Sequence, residues 1–89
     1  MKKIVIVIYG KDNYGILYNV SKILHDYKVS VENIRQSIVS NYFNMMAIVS
    51  APERNKYGEF KKKLEDYGKK SNLMVNVMLE DVFNAMHQV

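Results

Sequence analysis

The sequence predicts an α+β sandwich in the order β-α-β-β-α-β, with four strands in one antiparallel sheet, two helices on one of its faces and a short C-terminal helix. Three observations lead there. Two stretches with helical apolar spacing alternate with four extended, β-branched stretches. Ser40-Asn41 places turn chemistry between the middle two extended stretches, which makes them a hairpin. No proline-rich, glycine-rich or low-complexity segment interrupts the series, so residues 1–89 read as one domain.

The first strand, β1, is Ile4-Val5-Ile6-Val7-Ile8-Tyr9, apolar on both alternating faces and therefore expected at the centre of the sheet. Ile16, Leu17, Val20, Ile23, Leu24 and Tyr27 then recur with helical spacing and set α1 at about Tyr14 to Tyr27. Val29 to Val39 and Tyr42 to Ala51 form the hairpin strands β2 and β3. In β3, Phe43, Met45, Ala47 and Val49 share one face, and Tyr42, Asn44, Met46 and Ile48 the other. Pro52 ends β3 and suits a helix start. Tyr57, Phe60, Leu64 and Tyr67 trace one stripe of α2, from about Glu53 to Lys70. Leu73 to Leu79 alternates as β4, and Asp81 is placed to cap a last helix carrying Val82, Phe83, Ala85 and Met86.

That order is solved by the ferredoxin-like sandwich, whose two right-handed crossovers put both helices on one face and leave the other bare. The two-sided apolar strands then require a cover for the second face. The candidates are the terminal helix, through Phe83 and Met86, and another subunit, so a homodimer is expected.

Composition narrows the chemistry. There is no cysteine, which removes disulfides, thiolate metal sites and cysteine nucleophiles, and a reducing, cytoplasmic setting is compatible with that. The longest apolar run is far too short to span a bilayer, and Lys2-Lys3 before it starts no signal peptide, so no membrane association is expected. The formal net charge is +4, and most of the excess lies in Glu53 to Lys70. Glu59/Lys63, Glu65/Lys69 and Asp66/Lys70 are spaced there for i,i+4 pairs, the pattern of a solvated face.

No catalytic set emerges. His25 follows Ser21 by four residues on one helix and His87 stands near the C-terminus, without a nucleophile elbow or oxyanion turn. No carboxylate and histidine group has metal-ligand spacing, and no cofactor motif is present. The expectation is no enzyme, no metal and no cofactor. A nucleic-acid reading also fails on its motif, since Ser40-Asn41-Tyr42-Phe43-Asn44-Met45-Met46 lacks the basic-glycine-aromatic line of an RNA-recognition strand, and adjacent Tyr42 and Phe43 point to opposite faces.

Chemistry concentrates instead in Gly10-Lys11-Asp12-Asn13-Tyr14-Gly15, between β1 and α1. A strand feeding a helix through a glycine-bounded turn exposes backbone N–H groups that can hold a carboxylate. The structural alternative is that Gly10 makes a turn, Asn13 caps α1, and Gly15 allows close packing.

The turn with the following Ile16, and Val31-Glu32-Asn33-Ile34-Arg35-Gln36-Ser37-Ile38 in β2, resemble the ACT domain. Glu80-Asp81-Val82-Phe83-Asn84-Ala85-Met86-His87 resembles more narrowly the small stand-alone ACT-domain proteins of uncharacterised function. The resemblance covers essentially the whole chain. It implies a regulatory module of the same βαββαβ fold that associates side by side and binds an amino acid or similar small effector at the subunit interface. Ligand-binding residues carried over on this basis are Asp12, Asn13, Tyr14, Gly15 and Ile16, with Asn33 and Ile34 of β2 approaching from the same or the neighbouring subunit. Gly15 and Ile16 N–H groups would donate to a carboxylate and Asp12 would accept from an α-ammonium. With no output domain in these residues, the sensed state would be reported to an unidentified protein partner. Tyr14, where relatives carry aliphatic residues, is placed to narrow or fill the pocket. Two other readings stand beside this sensor: an assembly protein whose turn is only a helix cap, and, more distantly, a nucleic-acid binder.

Overall fold

A computed structural model of the chain describes residues 2–11 and 14–86. It contains β1 (Lys3–Lys11), α1 (Ile16–Asp26), β2 (Val31–Val39), β3 (Tyr42–Ser50), α2 (Tyr57–Ser71), β4 (Leu73–Leu79) and α3 (Glu80–Met86). The strands form one antiparallel sheet in the order β2-β3-β1-β4. The predicted ferredoxin-like α+β topology is therefore the observed one.

Alternation along β1 decides which face is which. Ile4, Ile6 and Ile8 join Phe43, Met45, Ala47 and Val49 of β3 and Leu73 and Val77 of β4 in a core closed by Ile16, Val20 and Leu24 of α1 and Phe60 and Leu64 of α2. Phe60, Leu64, Ile4, Ile6 and Ile8 are fully buried, each worth roughly 1.5–3 kcal/mol of burial. Val5, Val7, Tyr9 and Lys11 point to the opposite face, beside Tyr42, Asn44, Met46 and Ile48 of β3 and Met74, Asn76 and Met78 of β4.

Backbone conformation explains several boundaries. Ser40 and Asn41, with φ of 49° and 70°, make a two-residue hairpin turn whose twist matches the right-handed twist of the flanking strands. α1 ends in a Schellman motif: the Lys28 N–H donates to the His25 carbonyl and the Val29 N–H to the Leu24 carbonyl, both at 3.0 Å, with Lys28 at φ 55°. This turn consumes Val29 and Ser30, so β2 starts at Val31 rather than at Val29. Helix α2 begins later than its charge pattern suggests, because Arg54–Lys56 form a separate 3-10 turn before Tyr57. Helix α3 follows β4 without a gap, placing Asp81 inside the first turn instead of at a cap.

The expected i,i+4 pairs of α2 do not close within ion-pair distance among the described residues. Lys3–Glu32 and Lys22–Asp26 do form ion pairs, each at 3.2 Å, and Glu59 instead accepts a hydrogen bond from the Tyr27 hydroxyl. Exposed lysine stems lose side-chain entropy on pairing and gain little from it. No helix among the described residues is long and apolar enough to cross a membrane.

Candidate functional site

The antiparallel register sets which residues meet at the turn after β1. The end of β1 pairs Gly10 with Phe43, and the hairpin pairs Ile38 with the same Phe43. The start of α1 is thus level with the last residues of β2. A cleft of 430 Å³ opens there, walled by Gly15, Ile16, Leu17 and Tyr18 on the helix side and by Gln36, Ser37, Ile38 and Phe43 on the sheet side.

Gly15 is the N-cap of α1, and its φ of 84° is in the left-handed region that a side chain would strain. Among the described residues no side chain caps the helix N-terminus. The Asn19 backbone N–H and side-chain Nδ2 both donate to the Gly15 carbonyl, at 2.9 and 2.8 Å, which fixes the peptide leading into the helix. A Cβ built on Gly15 would stand 3.3 Å from Asn19 Nδ2, close to that clamp. The first-turn residues 15–18 line the cleft, and their N–H groups carry the positive end of the helix dipole.

The cleft wall is apolar through Ile16, Leu17, Ile38 and Phe43, with an amide at Gln36, a hydroxyl at Ser37 and a phenol at Tyr18. Among the described residues it contains no charged side chain. Such a surface can accept an apolar or uncharged body while the helix terminus receives an anionic head.

Of the residues expected at the site, Gly15 and Ile16 line the cleft. Asp12 and Asn13 lie outside the described residues. Tyr14 is fully exposed and does not line the cleft, so it does not fill it. Asn33 faces the opposite side of the sheet, in a hollow with Arg35, Met46 and Ile48. Ile34 is on the helix side, exposed and paired with Ala47, beyond the cleft within its own chain. The cleft residues Gln36, Ser37 and Ile38 were three positions further along β2. The hairpin turn at Ser40-Asn41 carried the signal for them, because a turn fixes which strand end sits beside the β1 terminus.

A wider cleft of 620 Å³ lies at the other end of the helices, with Tyr27, Lys28, Lys56, Glu59 and Lys63 among its walls. The hydrogen bond to Glu59 pushes the Tyr27 phenol up to about 12, with burial and the charges of Glu59 and Asp26 acting in the same direction. Of its three carboxylates, Asp26, Glu53 and Glu59, the first and last are engaged by Lys22 and Tyr27. Among the described residues no group of three or more His, Asp or Glu side chains is placed to hold a metal ion.

The family model of the ACT domain matches residues 2–78. A UPF0237 protein of Streptococcus mutans serotype c is 32% identical over 87 residues, covering 98% of this chain and 99% of that protein. A UPF0237 protein of Clostridium perfringens is 35% identical, covering 96% and 97% respectively. Among solved structures, an ACT domain protein from Streptococcus pneumoniae superposes with a TM-score of 0.77 at 29% identity, covering 92% of this chain and 93% of that one. The resemblance read from the β1–α1 turn and the C-terminal motif thus holds over nearly the full length, and the chain belongs to the ACT domain family, among its small UPF0237 members.

Proposed function

We propose that this chain is a non-enzymatic regulatory module that binds an amino acid or other small carboxylate effector between two copies of itself and signals through protein association. The observation that carries this reading is the glycine-led N-terminus of α1 beside a cleft whose described walls are apolar except for Gln36, Ser37 and Tyr18. A carboxylate would be received by the first-turn N–H groups, and the effector's side chain would lie against Ile16, Ile38 and Phe43.

The second copy enters through β2. This strand pairs only along β3, is exposed at every position, and presents Ile34, Ile38 and Val39 to solvent. A bulge at Glu32 interrupts its start, and residues 33–39 remain regular. Such an edge is open to strand addition. Antiparallel pairing of two β2 strands centred on Arg35 sets Gln36 against Ile34 and Ser37 against Asn33 of the second copy. Ile34 of the second copy would then stand beside Gln36 on the helix side and complete the cleft from across the interface, while Asn33 would meet Ser37 on the opposite face.

Thermal-shift measurement against the proteinogenic amino acids tests the reading. An effector at 100 times its Kd should stabilise the chain by about 2.7 kcal/mol, and Gln36→Ala should weaken that response with little change in the unliganded melting temperature. No response to any amino acid at millimolar concentration would overturn the effector reading and leave association alone, the assembly role, as the function.

A further inference from the structure

The face of the sheet turned away from α1 and α2 is covered at one end only. Val5 on that face is 1% exposed, and α3 packs against β1 and β4, so α3 with its half-buried Phe83 lies over Val5. The far half carries Tyr9, Tyr42, Met46 and Met74, all exposed, around a hollow of 320 Å³ beside Val7, Asn44 and Met46. Helix α3 also has an outer side. Val82 and Met86, one turn apart, are exposed, and Glu80 and Asp81 stand in its first turn.

We propose that a second copy of this chain docks on this face, turned head to tail about a two-fold axis, so that the α3 of each copy covers the bare half of the other. Three features converge on that occupant. The first is size. A nine-residue strand is about 30 Å long, and a seven-residue helix is about 10 Å in both length and width. One α3 therefore leaves most of the face uncovered, and two placed side by side fill it.

The second is surface chemistry: Val82 and Met86 are apolar knobs of the size that a hollow between Tyr9, Met46 and Arg35 receives. The third is charge. The strand positions on the bare half include Lys11 and Arg35 and no carboxylate, whereas α3 offers Glu80 and Asp81. A nucleic acid, which would also welcome Tyr9, Tyr42 and Lys11, is disfavoured by those same α3 carboxylates at the edge of the face.

A two-fold axis makes this contact self-complementary and closed. It uses a different face from the β2 edge, and it does not depend on the effector cleft. With both contacts formed, four copies associate; with the face contact alone, two.

The test is sedimentation equilibrium of the full chain. Met74 is 56% exposed and Val82 48% exposed, so Met74→Glu and Val82→Lys are tolerated by the fold, which far-UV circular dichroism checks. Each variant alone should halve the wild-type mass, because both symmetry-related contacts of the pair are altered. Mixing the two variants should restore it, since the heteropair has one unaltered contact and one in which the introduced charges are opposite.

Variants that keep the wild-type mass would overturn the proposal, as would a mixture that stays at half mass. A wild type sedimenting as single 10.4 kDa chains and retained on single-stranded RNA in a salt-dependent way would also overturn it and assign the face to nucleic acid.

Discussion

Strands β1 and β2 are both nine residues long and both rich in isoleucine and valine, yet they serve opposite purposes. In β1, Ile4, Ile6 and Ile8 are fully buried by the helices, and Val5 is sealed by α3. In β2 every residue is exposed, because it lies beyond the reach of α1 and α2 at the margin of the sheet. Apolar residues that a chain does not bury for itself are surface held for another molecule. The same residue type thus builds the core in one strand and presents a contact in the other.

The sharpest way to break this comparison is to truncate the same residue in both strands. Ile6→Ala should cost about 2–5 kcal/mol in urea denaturation, the range for a fully buried isoleucine. Ile38→Ala, at a position 61% exposed, should cost under about 0.5 kcal/mol at concentrations where the chain is monomeric. A concentration-independent loss of 2 kcal/mol or more at Ile38 would mean that β2 is structural and would end its role as a contact.

Next in size is Gly10→Ala in β1. Its Cβ would stand 2.8 Å from Leu73 Cδ2 and 3.2 Å from the Asn72 carbonyl oxygen, because β1 and β4 approach closely there. Overpacking of this kind should lower stability by about 1–3 kcal/mol. Gly15→Ala is also destabilising, through its φ of 84°, so it cannot separate an effector role from a structural one. Gln36→Ala, which disturbs neither backbone nor core, can.

Element order, strand alternation and the core stripes were all legible in the sequence, because periodicity reports burial directly. Phe60 and Leu64, picked from the α2 stripe, are fully buried, and Phe43, Met45, Ala47 and Val49 share the helix face. What periodicity does not report is lateral position in the sheet. Ile34 and Ile38 look as strand-like as Ile4 and Ile8, and only the order β2-β3-β1-β4 reveals that the helices do not extend over them. The candidate cleft shows the same division. Gly15 and Ile16 were legible from the turn, whereas Gln36, Ser37 and Ile38 required the long-range register linking Gly10, Phe43 and Ile38. The exposure of Tyr14 depends on the path of the turn and has no counterpart in residue spacing.

If β2 is a contact strand, a lysine in it should alter association and little else. Ile34→Lys should leave monomer stability within about 0.5 kcal/mol of wild type, reduce the sedimentation mass, and remove any effector response, since both copies would carry the charge at the shared edge. A variant of unchanged mass would show that β2 is exposed without being paired, and the comparison with β1 would become one of core against plain surface.

The smallest effect concerns how β2 is held where it begins. The outer edge of the strand is open along its length, but the segment leading into it is tied by the Schellman turn at Lys28 and by the Tyr27 hydroxyl donating to Glu59 of α2. Glu59 raises the Tyr27 phenol from 10.0 to about 12 in the folded chain. A raised folded value means that the folded state holds the proton more tightly than the unfolded one, so this contribution is fully present below pH 10 and is lost as pH rises through 12. Wild type should therefore lose more stability between pH 9 and 12 than Tyr27→Phe, which lacks the proton. The difference absorbance of wild type minus Tyr27→Phe should show this phenol ionising near 12, and Glu59→Gln should lower that midpoint. Identical pH profiles for wild type and Tyr27→Phe would mean that the tie does not persist in solution. The start of β2 would then be held by the Lys28 turn and by the hydrogen bonds between Ser30 and Ser50, without help from α2.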